Sequence, residues 1–216
     1  MDKTFINQKL NQLAELYYDN FSDNPIEYVD NSAKFFIDTQ NVTNGLVDNL
    51  FDGDEEAYQD EHDKYNNATD LFNSLNNIAK KQGKLIYPVT KYEHSQVRYY
   101  LGADSGWDYG VAGFILVDIK QAKARCGLNS RTAIKNYLDD LLKSYTDYAN
   151  GDVYCVDTYQ LDSKGGKKYV LEYFDGILPD NTNIEQLFDL GVLNGELKDW
   201  KQATTKITTR YIVADE

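Results

Sequence analysis

The sequence predicts an α+β fold in which helices pack on a mixed or antiparallel sheet. In the front part of the 216-residue chain, apolar side chains recur at the helical spacings of three and four residues. From residue 84 onward, short segments rich in β-branched and aromatic residues alternate with turn residues, which is typical of strands. We therefore expect an acidic, mainly helical lobe over residues 1–83 and an α+β sheet domain over residues 84–216, as two domains or as one compact unit.

The front lobe is expected to contain two main helices. A helix is predicted over residues 6–21 because five apolar side chains would share one face: Ile6, Leu10, Leu13, Tyr17 and Phe21. A longer helical pattern runs from Asp54 to Lys81, and Gly83 stands where such a helix would end. Between them, after Asn24-Pro25, the segments 26–29 and 34–37 predict short strands.

The remainder predicts a sheet with at least five strands. Three of them are expected over Lys84–Tyr92, Gln96–Leu101 and Gly113–Val117, and the last is central because its apolar run is continuous. Residues 153–161 and 168–174 flank a loop with paired glycines and predict a β-hairpin.

Capping residues mark the helices of the sheet domain. Asp118 and Ser130 each precede a helical pattern, and these patterns end at Gly127 and at Asn150-Gly151. A short helix is expected over residues 183–190, and an alternating strand over residues 205–213.

Composition excludes several classes of protein. With 42% hydrophobic and 26% charged residues the chain is expected to be globular, and its net charge of −13 disfavours direct binding to nucleic acid or to an anionic membrane. No apolar segment approaches the length of a membrane span and no signal-peptide core follows the N-terminus, so we expect a cytoplasmic protein. Two cysteines, Cys126 and Cys155, are too few for a disulfide framework or a four-cysteine metal site, and no cofactor or metal is predicted.

Several motifs carry a resemblance to a known family. The motif Lys91-Tyr92-Glu93-His94-Ser95 is followed by Trp107-Asp108-Tyr109-Gly110 and by the apolar run Gly113–Val117. Together they resemble a signature of uncharacterised proteins from phages and mobile elements of Gram-positive bacteria, over roughly residues 85–175. The resemblance implies an accessory protein that works inside a bacterial cell, and it implies no reaction.

The charge is concentrated at the front of the chain. Residues 1–82 carry a net charge of −10, and the segment 52–63 contains seven carboxylates without a single Lys or Arg: Asp52, Asp54, Glu55, Glu56, Asp60, Glu61 and Asp63. As a continuous helix these twelve residues would span about 18 Å, over which duplex DNA carries about eleven charges. We interpret the segment as a candidate partner-binding surface that would enter a basic groove. The alternative interpretation is a solvated helix face.

A second group of residues could carry chemistry. Glu93, His94 and Asp108 combine a histidine with two carboxylates, which is the composition of a general base or a metal site. Neighbouring strand residues point to opposite faces, so we favour a structural, hydrogen-bonding role for His94. The nearby glycines predict a tight connection into the central strand, with Trp107 covering an edge of the core, rather than a phosphate-binding loop.

These observations favour a non-enzymatic, phage-type inhibitor. Its expected partner is a host defence protein that acts on nucleic acid, such as a CRISPR nuclease or a restriction enzyme, in the bacterial cytoplasm. The sheet domain would be the scaffold, and a homodimer through its surface is left open. The alternatives are a metal-dependent enzyme or nuclease centred on Glu93, His94 and Asp108, and a small-molecule sponge for a signalling nucleotide that uses Lys91 and Arg98.

Overall fold

A computed structural model describes residues 3–27, 32–38, 42–104, 106–207 and 210–213. The chain divides into two compact units: residues 1–23 with residues 147–216 form the first, and residues 24–146 form the second. Each unit contains an antiparallel sheet accompanied by helices, so the predicted α+β class is confirmed. The expected boundary between residues 83 and 84 lies inside the second unit.

The elements are numbered in chain order. The strands are β1 (Lys3–Asn7), β2 (Gln12–Tyr18), β3 (Ala33–Ile37), β4 (Lys84–Glu93), β5 (Val97–Leu101), β6 (Tyr109–Asp118), β7 (Tyr154–Leu161), β8 (Lys167–Ile177), β9 (Trp200–Ile207) and β10 (Arg210–Val213). The α-helices are α1 (Val42–Leu50), α2 (Glu55–His62), α3 (Ala68–Lys81), α4 (Ile119–Cys126), α5 (Arg131–Ala149) and α6 (Ile184–Asp189). Two short 3-10 helices span Pro179–Asn181 and Leu197–Asp199.

The first unit is built on a sheet of six strands in the order β10-β9-β1-β2-β7-β8. Its main core cluster contains buried side chains from the sheet, from α6 and from the loop after α6: Phe5, Ala14, Leu16, Val156, Ile177, Leu187, Val192, Leu193 and Trp200. Asn183 caps α6 by accepting a hydrogen bond from the Gln186 N–H at 2.9 Å, as expected for the helix predicted over residues 183–190.

The predicted helix over residues 6–21 is wrong. Residues 6–18 belong to the hairpin of β1 and β2, in which Asn7 pairs with Gln12. The turn depends on two asparagines: the Asn7 side chain accepts a hydrogen bond from the Leu10 N–H at 3.1 Å, and Asn11 has a φ of 52°. Asparagine tolerates this left-handed conformation better than most residues, so turn chemistry overrides the apolar spacing.

The hairpin of β7 and β8 is confirmed. In its loop the Asp162 carboxylate accepts hydrogen bonds from the Lys164 and Gly166 N–H groups at 2.7 and 2.8 Å. The single strand predicted over residues 205–213 is wrong, because it spans parts of two paired strands, β9 and β10. Residues 208 and 209 lie outside the described residues.

The second unit is built on a sheet of four strands in the order β3-β6-β4-β5. Strand β6 is internal, as predicted, and Ile115 and Val117 are buried in it. Gly113 has a φ of 155°, and a Cβ atom there would lie 1.8 Å from the Phe36 carbonyl oxygen. This confirms the close backbone approach expected at Gly113, while a Cβ atom at Gly110 would meet open space.

The helix predicted from Asp54 to Lys81 is two helices. The α2 helix ends at His62, and α3 begins after Asn67, whose side chain accepts a hydrogen bond from the Asp70 N–H at 2.8 Å. This asparagine cap starts a new helix inside the apolar pattern. Gly83 follows α3 with a φ of 71°, as expected of a residue that ends a helix.

Helix α1 is not predicted by the sequence. It contains Gly45, which lowers helix propensity but leaves room for Phe36, whose ring would lie 2.2 Å from a Cβ atom at this position. Of the two short strands predicted before it, 34–37 is confirmed by β3; in 26–29, residues 28 and 29 lie outside the described residues.

The predicted caps of α4 and α5 are confirmed. Asp118 accepts a hydrogen bond from the Gln121 N–H at 2.9 Å, and Ser130 accepts one from the Ala133 N–H at 3.0 Å. Gly127 and Gly151 follow the two helices with positive φ angles.

Candidate functional site

The acidic segment, residues 52–63, comprises a turn and the helix α2. Asp52 lies in the turn with a φ of 53°. Asp54 caps the helix, because its side chain accepts a hydrogen bond from the Ala57 N–H at 2.9 Å. Glu55 and Glu56 occupy the first turn, where negative charge interacts favourably with the helix dipole.

Helix α2 turns its carboxylates mainly towards solvent. Its half-buried positions are Ala57, Tyr58 and Glu61, which share one face at spacings of three and four. Tyr58 packs edge-on against Phe51, with 5.5 Å between the ring centroids. The remaining positions of α2 and its C-cap Asp63 are exposed, and no residue of α2 is fully buried.

Glu61 differs from the other carboxylates of the segment. Its side chain is only 15% exposed, and it accepts hydrogen bonds from Lys64 Nζ at 2.7 Å and from the Ser74 hydroxyl. The hydrogen bond from Lys64, followed by that from Ser74, has the largest effect on the pKa of Glu61 and holds it below its usual value of 4.5. Glu61 therefore ties α2 to α3 and is engaged within the protein, unlike the partner-binding role expected from the sequence.

Four carboxylates of the segment have no contacts of the kind that Glu61 forms. Within the described residues, Asp52, Glu55, Glu56 and Asp60 are exposed and form no hydrogen bond or ion pair through their side chains. We call these four the outward carboxylates. Asp63 is also exposed, but its carboxylate accepts a hydrogen bond from Gln59 Nε2 at 2.6 Å and lies 3.3 Å from His62 Nδ1.

Helix α2 is shorter than the sequence indicates, so the number of charges that it can present along its axis, compared with duplex DNA, has to be counted over a shorter length. The eight residues of α2 rise about 12 Å, over which duplex DNA carries about seven charges. Four carboxylates lie within this helix: Glu55, Glu56, Asp60 and Glu61. Because Glu61 is engaged, the exposed charge is well below that of a DNA duplex, so the segment is better suited to discrete ion pairs than to matching a phosphate ladder.

Glu93, His94 and Asp108 lie near one another at the end of β4, but they form no recognisable chemical centre. The Glu93 N–H donates to the Asp108 carbonyl oxygen at 3.0 Å, and all three side chains are exposed. In the part of the chain that the structure describes, no three His, Cys, Asp or Glu side chains are grouped to hold a metal ion. The geometry therefore does not favour the metal-dependent alternative at these residues.

A hydrogen-bonding role for the His94 side chain also has no support in the geometry. Its backbone N–H donates to the Gln96 carbonyl oxygen at 3.3 Å, in the turn between β4 and β5. The side chain is exposed, and no hydrogen bond of its ring is found among the described residues.

Asp38, which no sequence motif identifies as a site residue, organises a small polar network near Glu93. Lys91 Nζ lies 3.5 Å from the Asp38 carboxylate and 3.0 Å from that of Glu93. The Tyr99 hydroxyl donates to Asp38, and burial together with this hydrogen bond raises the pKa of Tyr99. Because two carboxylates neutralise Lys91, this lysine is poorly placed to bind the nucleotide phosphate considered from the sequence.

The prediction that Trp107 covers the core is wrong, because its side chain is fully exposed. It lies beside an open cleft of about 410 Å³ whose lining also includes Asp38, Lys91 and Glu93. The rings of Tyr92 and Tyr109, of which Tyr109 also lines this cleft, are in contact with 4.9 Å between centroids. A Trp in this loop has no buried surface to cover, and no sequence signal distinguishes it from a core Trp.

No described helix is both long and apolar enough to cross a membrane. Comparison with known proteins finds no matching family model, no similar curated protein and no similar solved structure. The resemblance of residues 85–175 to proteins of phages and mobile elements therefore stays a prediction.

Proposed function

We propose that this protein is a non-enzymatic inhibitor that binds a basic protein surface through its acidic segment. The observation that carries the proposal is the set of outward carboxylates, which are exposed and form no hydrogen bond or ion pair with the described residues. Asp54, Glu61 and Asp63, by contrast, each have a partner within the chain.

Electrostatics supports a basic partner. The chain carries a net charge of −13, and Glu55, Glu56 and Asp60 lie within two turns of one helix. Like charges at this spacing repel one another, and cations of a partner would relieve this repulsion. Exposed charges of one sign also accelerate the encounter with an oppositely charged surface, more strongly at low ionic strength.

The partner class that fits best is a host protein with a groove for nucleic acid. Such grooves are lined with Lys and Arg, and a carboxylate-bearing helix can occupy them in competition with phosphates. The predicted phage-type origin suggests a defence nuclease, of the CRISPR or restriction type, in the bacterial cytoplasm. In this proposal the sheets are the scaffold, the inhibitor needs no cofactor, and a homodimer through a sheet surface is compatible with it.

The test compares two variants that lose the same charge. Glu55→Gln, Glu56→Gln and Asp60→Asn are combined in one variant, and Asp139→Asn, Asp140→Asn and Glu185→Gln in the control, whose three carboxylates are also exposed. The wild-type protein, tagged, first captures its partner from a bacterial lysate at low salt. Association of the purified partner with each variant is then measured by biolayer interferometry.

We expect the α2 variant to associate about tenfold more slowly than wild type at low salt, and the control to stay within about twofold. Added salt should remove most of this difference, because it screens exposed charges. Equal association of the two variants, or the absence of any retained protein at low salt, would contradict the proposal.

A further inference from the structure

The unit of residues 24–146 also contains a basic site, opposite in charge to the acidic segment. A cavity of about 290 Å³ lies between α3, β4 and the first turns of α5. Three basic side chains line it, Lys80, Arg131 and Lys135, together with polar and apolar groups: Asn76, Leu85, Ile86, Tyr87 and Thr132. No Asp or Glu belongs to this lining. In a chain whose 35 acids outnumber its 22 Lys and Arg residues, such a site is unexpected.

The three cations of this cavity have no acidic partners. Within the described residues, no carboxylate forms an ion pair or hydrogen bond with Lys80, Arg131 or Lys135. Among the described residues, Lys9, Lys64, Lys91, Lys167 and Lys198 do have such partners, whereas exposed lysines such as Lys120 and Lys123 do not. All three side chains are exposed at this open site, so their charges are available to an anionic ligand.

The position of these cations in α5 is electrostatically unfavourable without an anion. Arg131 is the first residue of this helix and Lys135 lies one turn further, and the first turn contains no acidic residue. The first turns of α2, α3 and α6 contain Asp or Glu, whereas those of α1 and α4, like that of α5, contain none. The N-terminal end of a helix repels cations, so an anion bound here would interact favourably with both the dipole and the side chains.

The rest of the cavity is suited to an organic group. Leu85 and Ile86 are buried, and Tyr87 adds its half-buried ring. Burial raises the pKa of Tyr87, and the nearby charge of Arg131 opposes this rise, so the aromatic and the cationic parts of the cavity are close together. The volume is at the lower end of the range for ligand sites, which favours a small ligand.

We propose that this cavity binds a small phosphomonoester. Arg131, Lys135 and Lys80 would contact the phosphate, since Arg and Lys form strong charge-assisted hydrogen bonds with its oxygens. The Thr132 hydroxyl is a further donor, and the organic group would lie against Leu85 and Tyr87. This site uses none of the outward carboxylates, so it is independent of the proposed inhibitor function.

Isothermal titration calorimetry on the full chain at low salt tests this site. Inorganic phosphate, phenyl phosphate and AMP are titrated separately into wild type, into Arg131→Gln/Lys135→Gln and into the control Lys120→Gln/Lys123→Gln. The control loses two exposed lysines of α4 and hence the same charge. Thermal melts establish that each variant is folded, and the single variants Lys80→Gln and Lys135→Gln replace the double variant if it is not.

We expect saturable binding of one phenyl phosphate or AMP per chain, tighter than that of inorganic phosphate. The cavity variant should lose about tenfold or more in affinity, while the control stays within about twofold. Both esters should also raise the melting temperature of wild type, because a ligand that binds only the native state stabilises it. Absence of saturable binding, equal affinity for inorganic phosphate and the esters, or equal affinity of the two double variants would overturn the proposal.

Discussion

Helices α2 and α3 follow one another in the chain, yet they have different relations to the core. Helix α3 contributes Leu75 and Ala79, which are 1% and 0% exposed, to a cluster with α1 and the sheet. Helix α2 has no fully buried residue and contacts its surroundings through the half-buried Tyr58 and Glu61. Helix α3 is therefore required for packing, whereas most of the charged side chains of α2 make no contact that stabilises the fold.

The largest effect is expected in α3. Leu75→Ala should lower the free energy of unfolding by about 2–5 kcal/mol, because it removes buried methyl groups and leaves a cavity. Tyr58→Ala in α2 should cost less, since this side chain is only half-buried. Urea denaturation followed by circular dichroism measures both values, and a cost for Tyr58→Ala equal to that for Leu75→Ala would refute the distinction between the helices.

An intermediate effect is expected where the two helices are joined. Glu61→Gln removes the negative charge of the carboxylate that accepts hydrogen bonds from Lys64 and Ser74. It should lower the free energy of unfolding by about 1 kcal/mol at pH 7. The pKa of Glu61 is lowered in the folded state, so its stabilisation is present above the unfolded pKa of about 4.5 and is lost as the pH falls through the lower folded pKa.

The matched measurement is the difference in unfolding free energy between wild type and Glu61→Gln, taken at a series of pH values from 7 to 3. This difference should be constant from pH 7 to about 5 and then shrink. Ser74→Ala is the control, because it removes one donor and leaves the carboxylate. A difference that does not change with pH would show that the charge of Glu61 does not stabilise the contact.

The smallest effect on stability is expected at the outward carboxylates. The variant that combines Glu55→Gln, Glu56→Gln and Asp60→Asn should change the free energy of unfolding by no more than about 0.5 kcal/mol, as is usual for exposed substitutions. The variant loses favourable interactions with the helix dipole in the first turn, which lowers stability. It also relieves repulsion between like charges, which raises stability, so the two effects partly cancel. Thermal and urea unfolding check this value, and a loss comparable to that of Leu75→Ala would mean that these charges serve folding.

The signals that predicted elements correctly are local ones. Asp118 and Ser130 bond to N–H groups three residues ahead, and Gly127 adopts its left-handed conformation without help from distant residues. The hairpin of β7 and β8 likewise follows from its loop. The helix predicted over residues 6–21 is wrong because the turn at Asn7 and Asn11 favours a hairpin, and because β1 and β2 also pair with strands far away in sequence, β9 and β7. Such pairing overrides local periodicity.

The amino-acid sequence is sufficient to predict the α+β class, most strands and caps, and the acidic character of residues 52–63, because these depend on composition and on contacts between near neighbours. Which charges are engaged follows from contacts that form only in the folded protein. It joins Glu61 to Ser74, surrounds Lys91 with Asp38 and Glu93, and leaves Trp107 exposed. It also brings Lys80 to one cavity with Arg131 and Lys135, about fifty residues away in sequence, because α3, β4 and α5 meet there. Charge is a property of each residue, but its compensation depends on the neighbours that folding provides.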